Sequence, residues 1–130
     1  ALNFGEKAPH QSHATDAFEF LQALPNPYDL IVLDPPAFAK HRKVLDRALK
    51  GYRRINRIAI EQIEPGGILF TFSCSQVVSK DDFRKAVFTA AAQSGRTVRI
   101  LHQMTQPADH PINIYHPEGE YLKGLVLAVD

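Results

Sequence analysis

A single cysteine, a single methionine and no apolar run of bilayer length are the scarcities that first bound this 130-residue sequence. Cys74 has no partner within the chain, which excludes an internal disulfide and leads us to expect a reducing, cytoplasmic setting. No apolar stretch approaches the roughly 18 to 20 residues that span a bilayer, and no signal-peptide pattern is present, so a membrane partner is not expected. The six histidines show no paired His/Cys spacing of the zinc type, so no metal site is expected. Internal repeats and low-complexity segments are absent as well. The chain opens on Ala1 and its one methionine is Met104, so the sequence is expected to be part of a longer protein. A formal net charge of +1 argues against a uniformly basic polyanion binder.

What is present reads as one small α/β domain over residues 1–130. The hydrophobic content is 45%, ordinary for a globular protein. Residues 1–15 are polar and weakly patterned, with at most a short strand around His10 to Ala14. The organising stretch is Tyr28-Asp29-Leu30-Ile31-Val32-Leu33-Asp34-Pro35-Pro36-Ala37-Phe38-Ala39. Its unbroken aliphatic run predicts a central strand of a parallel sheet, buried on both faces. Pro35 and Pro36 cannot donate to a ladder and disfavour helix before them, so the strand must stop at Asp34. One carboxylate is left at the carboxyl edge of the sheet, where open α/β sheets bind ligands.

The remaining elements follow from periodicity. Thr15 or Asp16 can cap a helix carrying Phe18, Leu21 and Leu24, which Pro25-Asn26-Pro27 ends. Apolar residues from Val44 to Ile63 recur at steps of three and four, predicting an amphipathic helix from about Arg42 to Glu64. Pro65-Gly66-Gly67 stops it, and Ile68 to Phe72 forms the next strand, parallel to the first through a βαβ crossover. Ser79 caps a helix that Gly95 ends. Thr97 to Gln103 and Tyr121 to Val129 are two more strands, expected to close the sheet as an antiparallel pair. Charge is concentrated: Lys40, Arg42, Lys43, Arg47, Lys50, Arg53, Arg54 and Arg57 fall in one segment with Asp46 as its only acid. Such a stripe is either a solvated helix face or a phosphate-binding footprint.

The segment Asp34-Pro35-Pro36-Ala37-Phe38 resembles motif IV of class I S-adenosylmethionine-dependent methyltransferases that act on nucleic acids. The resemblance implies a carboxylate holding the polar edge of a flipped-out base, with Pro36 and the aromatic ring of Phe38 against it. Asp16-Ala17-Phe18 resembles motif III. Asp16, Ala17, Phe18, Asp34 and Pro35 are thereby implied in cofactor contact, although Asp16 serves equally well as a helix cap. Lys40, Arg42 and Lys43, directly after the motif, are the implied RNA contacts.

Cys74 follows the second strand, at the same sheet edge as Asp34. Cytosine C5 becomes nucleophilic when a thiolate adds at C6 and an acid steadies N3 or the exocyclic amine. Asp34 and Cys74 supply that pair, while a small buried residue at a strand end is the plainer reading of a lone cysteine. Together with Pro65-Gly66-Gly67, Ser73-Cys74-Ser75-Gln76, Asp109-His110-Pro111 and Tyr121-Leu122-Lys123-Gly124, these motifs resemble the large-subunit rRNA cytosine-C5 methyltransferases. The resemblance implies Cys74 as nucleophile, Asp34 as the acid, S-adenosylmethionine as cofactor of the full-length enzyme and rRNA as partner. Many RNA cytosine-C5 enzymes carry a second cysteine in motif IV, where Ala37 stands here.

No Gly-x-Gly occurs anywhere in the chain. The expected fold is therefore a partial Rossmann-like methyltransferase sheet, mostly parallel, lacking the N-terminal glycine-rich βα unit. Such a chain is not expected to hold the cofactor or methylate by itself. It should also expose the edge of the Leu30 to Leu33 strand and associate there as a homodimer or swapped assembly. Two readings stay open beside the leading one: an amino-nitrogen methyltransferase using Asp34-Pro35-Pro36 without a thiol, and a non-catalytic RNA-binding or oligomerisation module.

Overall fold

The computed structural model describes residues 10–38 and 41–130, and all structural statements below concern these residues. Their order is α1 (Ala17–Gln22), β1 (Leu30–Leu33), a 3-10 turn (Arg42–Val44), α2 (Leu45–Gln62), β2 (Gly67–Ser73), α3 (Lys80–Ser94), β3 (Val98–Met104), a second 3-10 turn (Pro117–Gly119) and β4 (Lys123–Val129).

Local chemistry sets each boundary. The Asp16 carboxylate accepts from the N–H groups of Phe18 and Glu19, capping α1. Ser79 does the same for α3 by accepting from Asp82 N at 3.0 Å, and Gly95 ends that helix at φ +71°, a left-handed position that suits glycine. The long amphipathic segment starts as a 3-10 turn at Arg42 and becomes α-helical at Leu45. Its last carbonyls are not left bare. Arg96 reaches across from the α3–β3 turn to donate to Ile60 O at 2.8 Å and Ile63 O at 2.5 Å.

The four strands lie in the order β1-β2-β4-β3. Leu30 to Leu33 pair in parallel with Ile68 to Thr71. β4 inserts between β2 and β3 and runs antiparallel to both. All three helices pack on one face of this sheet. Leu21, Ala48, Tyr52, Ile55, Ala59, Phe83, Val87 and Ala90 share a core with Ile31, Leu33, Leu69, Leu125, Leu127 and Val129.

Two expectations are corrected. The sheet is mixed rather than mostly parallel, with one parallel ladder and two antiparallel ones, because β4 inserts between β2 and β3. β1 is not buried on both faces: Ile31 and Leu33 are buried, whereas Leu30 and Val32 are 53% and 63% exposed. The physical reason is that the described residues place no helix on the second face, so the strand alternates although its sequence does not. β1 is correspondingly an edge strand rather than a central one. Residues 10–14 form no strand, which lies within the expectation of at most a short one there.

Candidate active site

The parallel β1–β2 ladder ends with Leu33 opposite Thr71, so the chain leaves both strands at one edge of the sheet. Asp34 is the first residue past β1, and Cys74 the first past β2. They meet in a cleft of about 710 Å³ lined by Asp34, Pro35, Pro36, Cys74, Gln106, Pro107, Asp109, His110, Tyr121 and Leu122. Asp34 is exposed and Cys74 is half-buried, leaving both reachable from solvent.

A second cleft, of about 490 Å³, adjoins the first through Asp34, Pro35 and Pro36. Its other walls are Thr15, Asp16, Ala17, Phe18, Val32, Leu33, Phe38 and Ile55. The residues singled out for cofactor contact, Asp16, Ala17, Phe18, Asp34 and Pro35, are thus gathered in one place. The Asp16 carboxylate is already engaged in the α1 cap. Phe18 and Phe38 face each other across this cleft at 6.4 Å between ring centroids.

Among the residues singled out for RNA contact, Pro36 and Phe38 belong to this edge, Lys43 is exposed on the turn before α2, and Lys40 lies outside the described residues. Arg42 opens that turn. Farther along α2, Arg47, Lys50, Arg54 and Arg57 are exposed, at spacings that keep them near one helical face. Arg54 also sits 4.9 Å over the Phe18 ring, and Arg57 pairs with Glu61 at 3.4 Å.

Several side chains support this edge through contacts that the sequence motifs do not reveal. Tyr52, at an apolar position of α2, is fully buried, and its hydroxyl oxygen accepts from Ser73 Oγ at 2.9 Å. Burial pushes its ionisation above the ordinary 10.0, and the Ser73 hydrogen bond opposes that rise. Ser73 Oγ in turn accepts from Ser75 N at 3.3 Å. Lys123, 5% exposed, donates to Ser75 O and Val78 O, each at 2.6 Å, and so shapes the loop that follows Cys74. Burial lowers the Lys123 pKa, the neighbouring Cys74 opposes that shift, and Lys80 adds to it. Gln76 Nε2 donates to Glu118 O at 2.9 Å and Lys80 pairs with Glu120, tying the 3-10 turn of the last loop to the same region. Of the residues lining the cleft from that loop, Gln106 and Tyr121 are held together where Tyr121 N donates to the Gln106 side chain at 3.0 Å.

The described residues contain no cluster of three or more His, Cys, Asp or Glu able to hold a metal, and no helix long and apolar enough to cross a membrane.

The fold is that of S-adenosylmethionine-dependent methyltransferases. A candidate enzyme of this type from Streptococcus mutans superposes with a TM-score of 0.76 at 21% identity, over 94% of this chain and 31% of that one. A candidate methyltransferase complexed with SAH gives a TM-score of 0.69 at 21% identity, over 91% of this chain and 30% of that one. In sequence, the chain is 51% identical over 102 residues to the ribosomal RNA large subunit methyltransferase I of Shewanella frigidimarina, covering 78% of this chain and 26% of that protein. It is 46% identical over 132 residues to the protein of that name from Shewanella denitrificans, covering 99% of this chain and 33% of the relative. The chain therefore spans about a quarter to a third of the length of these relatives. No protein-family profile matches it.

Proposed function

We propose that this chain is the base-handling part of an S-adenosylmethionine-dependent rRNA methyltransferase, acting at cytosine C5 through Cys74. The observation that carries the reading is the shared wall: Asp34, Pro35 and Pro36 border both the cleft containing Cys74 and the cleft containing Asp16, Ala17 and Phe18. The names of the sequence relatives support an rRNA substrate.

In this reading the second cleft takes the adenine side of S-adenosylmethionine, and Phe18, Phe38, Asp34 and Pro35 are among the residues that line it. When bound, that cofactor supplies the electrophilic methyl group. The chain's own residues do the rest. Asp34 holds the exocyclic amine or N3 of the cytosine, and Pro36 and Phe38 bound its ring. The Cys74 thiolate adds at C6, which moves an electron pair to C5 so that this carbon can take the methyl group. A solvent water entering the open cleft then takes the C5 proton, which restores the double bond and expels the thiolate. Lys43 and the α2 stripe of Arg47, Lys50, Arg54 and Arg57 meet the RNA backbone. The glycine-rich part of the cofactor site lies outside this sequence, so turnover belongs to the longer protein. The free edge of β1 supports association with a second copy or with another strand of that protein.

The test is an RNA carrying 5-azacytidine, whose C6 accepts a thiolate without methyl transfer. A denaturation-resistant complex with the wild-type chain that vanishes in Cys74→Ser is the expected result. An equal yield from Cys74→Ser would reject the nucleophile and favour amino-nitrogen chemistry on Asp34.

A further inference from the structure

The chemistry just described leaves one buried cation beside the cysteine without a part in it. Lys123 is 5% exposed, opens β4, and stands opposite Ser73, the residue before Cys74, in the antiparallel β2–β4 ladder. Its ammonium donates to the carbonyl of Ser75, the residue after Cys74, and to that of Val78, each at 2.6 Å. One residue thus holds the chain on both sides of the cysteine. The Ser75 carbonyl also accepts from Val78 N at 3.2 Å, so the turn from Ser75 to Val78 closes where the ammonium sits. Tyr121 and Leu122, directly before Lys123, line the cleft that contains Cys74.

We propose that Lys123 is a positioning residue: its ammonium fastens the turn after Cys74 to the start of β4 and so fixes the thiol relative to the Tyr121 and Leu122 wall of the cleft. The proposal rests on the reading of Cys74 as nucleophile. The β2–β4 ladder ends at Ser73 and Lys123, so past that pair no strand pairing holds Cys74. The ammonium reaches beyond the end of the ladder and takes over. Stability alone does not favour a lysine at this point, since a buried ammonium is costly unless its partners compensate it fully. Among the described residues it has two carbonyls and no ion pair. An apolar side chain of similar length would pack against the turn without setting its place, because dispersion contacts lack direction while a hydrogen bond has it. Small displacements at a reacting atom cost rate steeply.

Lys123→Met keeps an unbranched apolar stem and removes the ammonium. The expected result is amide hydrogen exchange at Val78 about tenfold faster, with Leu125 to Leu127 in β4 unchanged. On 5-azacytidine RNA, the maximal rate of adduct formation falls about tenfold while the RNA concentration for half-maximal rate stays the same. Lys123→Arg, which keeps the charge and its donors, recovers most of that rate. Ala90→Gly, in α3 and lining neither cleft, is the control for lost stability. Should Lys123→Met not fold, the wild-type chain decides: nitrogen-15 spectra should show one lysine ammonium slow to exchange with water and in contact with Ser75 and Val78. The absence of that signal would overturn the proposal, as would unchanged Val78 exchange in Lys123→Met. So would an adduct rate that falls no further than in an equally destabilised Ala90→Gly. If the wild-type chain forms no adduct, the nucleophile reading fails, and Val78 exchange alone then decides whether Lys123 holds the turn.

Discussion

Tyr52 is a fully buried phenol whose hydroxyl accepts from Ser73 at 2.9 Å. Because its ionisation is raised by burial, the unfolded chain gives up the phenol proton first as pH climbs. Its contribution is therefore fully present below the ordinary 10.0 and is lost above it. Denaturant titrations between about pH 9 and about pH 11 should show stability falling more steeply in the wild type than in Tyr52→Phe. Parallel slopes would mean that the hydroxyl is more hydrated than its burial implies. Asp16 gives a simpler prediction. Its carboxylate caps α1 through two N–H groups, so Asp16→Ala should cost about 1 kcal/mol in thermal or denaturant unfolding. At this scale, residues in consecutive motifs were legible: Asp34 with its two prolines, and Cys74 at a strand end, ended up in one cleft. The contacts of Tyr52 with Ser73 and of Lys123 with Ser75 were not, although Ser73, Ser75 and Lys123 stand in quoted motifs, because the partners lie 21 and 48 residues apart and only the folded register brings them together.

Between elements, the βαβ joint carries the strictest demand. A Cβ at Gly67 would stand 2.7 Å from Ile63 Cγ1, 2.8 Å from Glu64 O and 3.0 Å from Asp29 O. Backbone oxygens cannot yield as a side-chain tip can, so Gly67→Ala should destabilise by about 1–3 kcal/mol, measured by denaturant unfolding. A neutral result would show that the α2–β2 turn can open. Helix and strand boundaries in this region were readable from capping residues and from Pro65-Gly66-Gly67, since those signals act within a few residues. The burial of β1 was not. An unbroken aliphatic run says that both faces tolerate burial, but what covers each face depends on elements elsewhere, and here Leu30 and Val32 stay exposed. The cap that Arg96 places on the end of α2 was equally invisible, because a surface arginine and a capping arginine look alike in sequence.

For the molecule as a whole, one face of the sheet is covered by α1, α2 and α3, and β1 stands at its edge. Leu30 and Val32 sit on the face away from the helices, beside half-buried Ile68 and Phe70. Sedimentation velocity over a concentration series should show mass rising toward twice that of one chain, and Val32→Lys should reverse the rise. A monodisperse monomer at all concentrations would contradict the proposed association. The α2 stripe makes a separate prediction. Replacing Arg47 and Lys50 by Gln should flatten the dependence of RNA affinity on salt by about one to two units of log–log slope. An unchanged slope would return that face to plain solvation.

The most direct measurement of the central claim, that Asp34 and Cys74 act as one site, is the 5-azacytidine adduct rate of Asp34→Ala set beside the rate at which iodoacetamide alkylates Cys74 in the same variant. The account predicts an adduct rate lowered about a hundredfold with alkylation unchanged, the thiol intact but its base no longer held. An adduct rate equal to the wild type would contradict it and leave Cys74 a strand-end cysteine beside an unrelated carboxylate.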